Sequence, residues 1–173
     1  MKRLACLAAL LAALVPAAAQ VATPSTEQMI EQLKPAPRTR SLRNLIVEPG
    51  QDPAAATAPA PRPSLSLLIQ FGFDSTQVQP ESQEALANLA RALLSPELAD
   101  SRFAVEGHTD AKGRAEYNLR LSQRRADAVR DVLASHGVPA ARLVTSGRGA
   151  TELAEPADPY AAANRRVRIV NLD

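Results

Sequence analysis

Residues 107–129 read GHTDAKGRAEYNLRLSQRRADAV, and they join the end of a strand-like pattern to a long helix-like one. When this helix is wound at about 100° per residue, Leu121 and Val129 fall about 40° on either side of Arg125, whereas Arg120 falls on the opposite side. Arg125 is therefore predicted to lie inside the apolar stripe of the helix. Because a buried guanidinium without a partner is costly, the pattern predicts that Arg125 holds a specific polar group.

The residues before this stretch predict one strand and one helix. Residues 64–73, SLSLLIQFGF, alternate in the manner of a half-buried strand. A helix follows. Pro80 begins it, at a position where the missing N–H of proline costs nothing, and Pro96 ends it. Its buried stripe is predicted to consist of Leu86, Leu89 and Leu93.

The rest of the domain predicts three strands around the long helix. Residues 102–108 form a strand with Phe103 and Val105 inward, and the helix runs from about Glu116 to Ser135. Two further strands are predicted at 142–149 and 165–172. The order β-α-β-α-β-β predicts an α+β domain over residues 64–173, in which two main helices pack on one face of a mixed four-stranded sheet.

Residues 1–19 have the pattern of a secretory signal peptide. A basic start precedes a short apolar run and an A-x-A site that ends at Ala19. The apolar run is too short to cross a bilayer, which takes about 20 residues. The cysteine Cys6 is not placed in a lipobox, so a lipid anchor is not expected either. The mature chain is expected to begin near Gln20 and to carry no transmembrane segment.

Composition narrows the classes of function. The chain has 20 basic and 18 acidic residues, and removal of the signal takes away Lys2 and Arg3, which balances the charges. Nucleic acid is therefore not an expected partner. A mature chain without cysteine excludes disulfides, thiol catalysis and thiolate metal sites. The isolated histidines His108 and His136 make a poor metal site, so neither a metal nor another cofactor is expected.

Residues 20–63 contain eight of the fourteen prolines, a composition typical of an extended tether. One short helix is predicted within them, capped by Ser25 and with Met29, Ile30 and Leu33 as its apolar edge. Arg38, Arg40 and Arg43 form a local basic cluster, for which two interpretations stay open. It is either a solvated linker or a docking segment for an acidic partner, such as an outer-membrane or envelope protein, or for membrane headgroups.

Three polar residues are predicted to share a crevice with Arg125. Asp110 comes just after the second strand, Asp74 comes just after the first, and Asn118 lies about 20° from Arg125 on the helix wheel. Strand ends that meet helix starts are usual places for a ligand crevice. Carboxylates and a guanidinium in one crevice suit a zwitterion, because one sign holds the ammonium and the other holds the carboxylate.

Structural interpretations of the same residues remain open at this point. Arg125 could form an internal salt bridge with Asp110 and thereby pin the loop to the helix. Asp74 could be a turn residue before Ser75, and Asn118 could be a first-turn helix residue.

Three segments of the chain together resemble the OmpA-like peptidoglycan-binding domain family. They are FGFDSTQVQPESQEALANLARAL at 71–93, VEGHTDAKGRAEYNLRLSQRRADAV at 105–129 and NRRVRI at 164–169. The resemblance covers nearly all of residues 65–171. It implies non-covalent binding of the peptidoglycan stem peptide through its diaminopimelic acid, which has a zwitterionic side chain.

The resemblance also implies roles for individual residues. Asp110 corresponds to the aspartate that meets the ammonium, Arg125 to the arginine that meets the carboxylate, and Arg165 to the arginine that closes the pocket. Further positions that correspond to the pocket lining are Phe73, Asp74, Ser75, Thr109, Asn118 and Leu121.

The function expected from these residues is that of a wall-binding protein in the periplasm of a Gram-negative envelope, associated with the cell wall and the outer membrane. Two alternatives are a cell-wall hydrolase and a protein-binding envelope adaptor. An aspartate beside an arginine is held in its charged form, which does not suit a general acid, and a zinc amidase needs more histidines. The chain is therefore not expected to be an enzyme.

Overall fold

The computed structural model describes residues 23–35, 61–72 and 75–173. These residues contain four strands, which are β1 (Ser64–Leu67), β2 (Phe103–His108), β3 (Leu143–Gly149) and β4 (Val167–Asn171). The strands form one sheet in the order β1-β4-β2-β3, in which β4 runs antiparallel to both of its neighbours, whereas β2 and β3 are parallel. The mixed four-stranded sheet confirms the predicted α+β class.

The helices lie where the sequence pattern places them. The α-helices of the described residues are α1 (Thr26–Leu33), α2 (Gln83–Leu93) and α3 (Ala115–Ser135). A 3₁₀ turn that starts at Pro80 leads into α2, and Gly137 follows α3 with a φ of +95°, the left-handed conformation expected after a helix end.

The core lies between one face of the sheet and the helices. The predicted stripe of α2 is completely buried, and so are Phe103 and Val105 of β2. Leu65, Leu67 and Ile169 contribute the same face of β1 and β4 to this core. Burial of these side chains is the main favourable term in folding, at about 25 cal/mol for each Å² of apolar surface.

Helix α1 begins as predicted but belongs to the core rather than to a tether. Ser25 caps it in a reciprocal capping box with Gln28, and both Met29 and Leu33 are completely buried. The side chain of Asn171 in β4 donates a 2.8 Å hydrogen bond to the carbonyl of Leu33. The tether interpretation of residues 20–63 therefore does not hold for α1, whereas the division of the chain at residue 63 stays a prediction.

The first strand is shorter than its sequence pattern suggests. β1 ends at Leu67, and Phe71 pairs instead with Val78 in an isolated antiparallel bridge. The ladder with β4 stops at Val167 because the preceding residues of that chain segment turn away in a 3₁₀ turn, Ala162–Asn164. A gap between the two segments follows from this divergence.

Several predictions fall on residues outside the described part of the chain. These are the signal peptide, the basic cluster of Arg38, Arg40 and Arg43, and the predicted pocket residues Phe73 and Asp74. Among the residues that the structure does describe, no helix has the length and apolar character needed to cross a membrane.

Candidate functional site

A cavity of about 420 Å³ opens where the end of β2, the start of α3, the segment after β1 and the segment before β4 meet; we call it the Asp110 cavity. Six residues predicted from the sequence line it: Thr109, Asp110, Asn118, Leu121, Arg125 and Arg165. Four others, which sequence reasoning missed, complete the lining: Phe71, Gly72, Lys112 and Tyr117. The volume is within the range of about 300–1,000 Å³ that is usual for small-ligand sites.

Arg125 lies half-buried between buried Leu121 and Val129, in accord with the helix wheel. Its Nε donates a 3.3 Å hydrogen bond to the carbonyl oxygen of Ser75, and its guanidinium lies 4.8 Å from the centroid of the Phe71 ring. The ring and the carbonyl fix the guanidinium at the cavity wall. Ser75 thus takes part in the site through its backbone.

Asp110 is held from two sides. Its Oδ2 lies 2.8 Å from Nη1 of Arg165, and its Oδ1 accepts a 3.2 Å hydrogen bond from the N–H of Lys112. The ion pair of Asp110 that the structure describes is with Arg165, while the internal salt bridge between Asp110 and Arg125 stays an interpretation. The Asp110 side chain is 15% exposed, and that of Arg165 is 48% exposed. A ligand can therefore reach both groups.

Asn118 fixes the loop that carries Asp110. The side chain is buried, and its Nδ2 donates to the carbonyl oxygens of Asp110 at 3.3 Å and Lys112 at 3.0 Å. The loop is thereby tied to the first turn of α3. Asn118 is thus both a cavity-lining residue and a positioning residue.

Two glycines allow α3 to lie close against the sheet. A Cβ at Gly107 in β2 would overlap the carbonyl of Ser122, and a Cβ at Gly147 in β3 would come within 2.5 Å of the Gln123 nitrogen. Real Cβ atoms do not approach so closely, so larger residues at these positions would push α3 outward. The close approach brings Arg125, which follows directly along α3, to the end of β2 where Asp110 lies.

A second group of charged residues lies on the sheet, around one buried carboxylate. The side chain of Glu106 in β2 is 5% exposed and meets Arg148 of β3 and Arg168 of β4. Burial raises the pKa of this carboxyl, but the hydrogen bonds and positive charges of the two arginines outweigh that effect and hold the pKa below its ordinary value.

In the described part of the chain, no three histidine, cysteine, aspartate or glutamate side chains group into a metal site.

His108, the last residue of β2, is buried, and neither of its ring nitrogens has a hydrogen-bond partner among the described residues. Burial and the charge of Arg166 lower its pKa from 6.5 to about 4, while Glu106, Arg168 and Glu152 act more weakly. Between these two pH values the unfolded chain binds a proton that the folded chain does not bind. Stability should therefore fall as the pH is lowered through this window.

We expect wild-type protein to lose about 2–3 kcal/mol more than His108→Leu between pH 7 and pH 4.5. The leucine cannot be protonated, and the imidazole gives up no hydrogen bond in the exchange. The comparison ends at pH 4.5 because the pKa of Glu106 lies below that value. Urea unfolding of both proteins at the two pH values measures the difference. Equal losses in the two proteins would contradict the assignment to His108.

Comparisons with known proteins agree with this fold. Residues 70–168 match the sequence model of the OmpA family, which is more than half of the chain. The chain is 39% identical over 111 residues to outer membrane protein A of Yersinia pseudotuberculosis, covering 58% of this chain and 31% of that protein. It is 44% identical over 81 residues to the peptidoglycan-associated lipoprotein of Agrobacterium fabrum, covering 47% of this chain and 45% of the lipoprotein.

A solved structure is also similar. The peptidoglycan-associated lipoprotein of Burkholderia pseudomallei is 34% identical, with a TM-score of 0.52, and the match covers 61% of this chain and 88% of that one. The chain spans less than half the length of the Yersinia and Agrobacterium proteins. The likeness therefore concerns the domain that these proteins share with it.

Proposed function

Because this chain belongs to the OmpA family, we propose that it binds peptidoglycan non-covalently, through the diaminopimelate of the stem peptide, in the Asp110 cavity. The observation that carries the proposal is the placement of opposite charges on two walls of one cavity. Asp110 lies on the loop after β2, and Arg125 lies on α3. Two relatives whose names denote peptidoglycan association support peptidoglycan as the polymer that is bound.

The proposed ligand matches the donors and acceptors of the cavity. The ammonium of diaminopimelate meets the Asp110 carboxylate, whose position is set by Lys112 and Arg165. The carboxylate of the same side chain meets the guanidinium of Arg125, which offers planar paired donors. Phe71 and Leu121 supply apolar surface for the methylene chain between the two charges.

In this proposal the protein works in the periplasm of a Gram-negative cell and connects the wall with the outer membrane. A partner protein of the envelope, bound through residues 20–63, belongs to the same proposal. A hydrolase would instead release soluble wall fragments, and none of the three relatives named above carries the name of an enzyme. An adaptor that lacks wall binding would not sediment with sacculi.

Sedimentation of the protein with purified sacculi tests the proposal. Walls with diaminopimelate in the stem should bind about 1–3 kcal/mol more tightly than walls with lysine, because lysine lacks the carboxylate that would accept hydrogen bonds from the Arg125 guanidinium. The supernatant is also assayed for released wall fragments, which would indicate a hydrolase. Equal binding to both types of wall would contradict the diaminopimelate site.

A further inference from the structure

A second cavity, of about 330 Å³, adjoins the Asp110 cavity. We call it the Ile69 cavity, after the buried residue of the segment that borders it. It shares Phe71, Arg125 and Arg165 with the Asp110 cavity, and Leu68 and Ala162 line its other side. A ligand in one cavity can therefore continue into the other without leaving the two arginines.

The Ile69 cavity exists because β1 and β4 separate. The N–H of Asn171 donates to the carbonyl of Pro63 at 2.9 Å, which fixes the alternation of the ladder: Leu65 and Leu67 turn their N–H and C=O groups towards β4. If the same alternation continued, Ile69 would be the next residue to turn its backbone groups towards the chain of β4. The cavity lies between Ile69 and the segment before β4, which contributes Ala162 and Arg165 to its lining.

The backbone N–H and C=O groups of Ile69 are not paired with β4. The register would pair Ile69 with Arg165, but the N–H of Arg165 bonds instead to the carbonyl of Ala162 at 3.0 Å. Across the described residues, no hydrogen bond involves the N–H or C=O of Ile69, although this residue is only 4% exposed. Buried backbone groups of this kind are costly unless they are paired, so the edge of the cavity favours a peptide group.

The other residues that line the Ile69 cavity indicate which chemical groups the bound peptide should have. Arg165 uses Nη1 for Asp110, and its other guanidinium N–H groups make no hydrogen bond to the described residues. Those donors lie at the boundary of the two cavities, where a carboxylate would be bound. Leu68, Ile69 and Ala162 offer apolar surface against which a side chain can pack.

We infer that the Ile69 cavity binds the C-terminal residue that follows diaminopimelate in the stem peptide, a small apolar residue with a free carboxylate. The inference rests on the proposed function. The peptide bond of the ligand pairs with the backbone of Ile69, and its carboxylate meets Arg165. Its methyl group packs on Leu68 and Ala162.

Ala162→Leu tests this inference, because the leucine fills the Ile69 cavity from an exposed position outside the sheet. The matched control is Ala163→Leu, at the adjacent exposed position, which does not line either cavity. Calorimetry measures the binding of four probes to both variants and to the wild type. The probes are free diaminopimelate, a disaccharide tripeptide that ends in diaminopimelate, the tetrapeptide with one further alanine, and that tetrapeptide as its C-terminal amide.

In the wild type we expect the tetrapeptide to bind about tenfold more tightly than its amide. Ala162→Leu should bind the tetrapeptide about tenfold more weakly than the wild type does, and its affinities for diaminopimelate and the tripeptide should stay within about twofold of the wild-type values. Ala163→Leu should bind all four probes with wild-type affinity. Unchanged tetrapeptide binding in Ala162→Leu, or equal weakening of every probe, would overturn the inference. Equal affinity of the tetrapeptide and its amide for the wild type would overturn it as well, and would leave the proposed function standing. A wild type that binds none of the probes would overturn the proposed function itself.

Discussion

Arg125→Ala and Asp110→Ala should each lose wall binding while the protein remains folded. Each substitution removes one charged partner of the zwitterion, and a hydrogen bond to a charged group is worth about 1.5–3 kcal/mol, or a loss of about 10- to 100-fold in affinity. Arg125→Lys should also fail, because a point ammonium cannot reproduce the planar pair of donors. Sedimentation with sacculi that contain diaminopimelate measures the loss.

Arg124→Ala is the matched control for these variants. Arg124 is the neighbour of Arg125 on α3, but it is exposed and does not line the Asp110 cavity. Removal of the same charge at this position should leave wall binding unchanged. If Arg124→Ala lost binding as fully as Arg125→Ala, the loss would reflect the net charge of the helix rather than a specific contact.

Leu33→Ala should destabilise the domain by about 2–5 kcal/mol, which is typical for the removal of a buried leucine side chain from a core. Leu33 lies in α1, within residues 20–63 that the sequence predicts to be a tether, but it is completely buried against the rest of the core. Gln32→Ala is the control, since Gln32 is exposed on the same helix. Urea unfolding of the two variants and the wild type measures the free energies.

The two outcomes for Leu33→Ala separate the interpretations of α1. A tether helix could be truncated without effect on the domain, so both variants would then unfold like the wild type. If α1 is part of the core, only Leu33→Ala unfolds at lower urea concentration. Wild-type stability of Leu33→Ala would contradict the packing described for α1.

Helix α3 shows which features could be predicted from the sequence. Its apolar positions repeat over 21 residues, so the period is well defined, and the burial of Leu121 and Val129 follows from it. The same wheel places Arg125 inside the apolar stripe, and the structure shows it half-buried between Leu121 and Val129. The roles of Asp110 and Arg125 towards a ligand stay predictions, because they depend on a molecule that the wheel does not contain.

Long-range pairings show why the rest could not be predicted. Arg165 lies 55 residues from Asp110, on a segment without periodicity, so no local pattern reveals that these two side chains form an ion pair. The packing of Leu33 could not be predicted for the same reason. Helix α1 has only eight residues, and the carbonyl of Leu33 accepts a hydrogen bond from Asn171, 138 residues away. Phe71 was expected to continue a strand, whereas its bridge to Val78 depends on where β4 turns away.

The central claim is that Arg125 serves a ligand rather than the fold. The most direct test is the melting temperature of Arg125→Ala measured on the same sample whose sedimentation with sacculi is recorded. We predict a melting temperature close to that of the wild type, together with lost wall binding, because Arg125 is only half-buried at the wall of the Asp110 cavity. A protein that melts far below the wild type, while its folded fraction still sediments with sacculi, would show that Arg125 is a structural residue and would contradict the account.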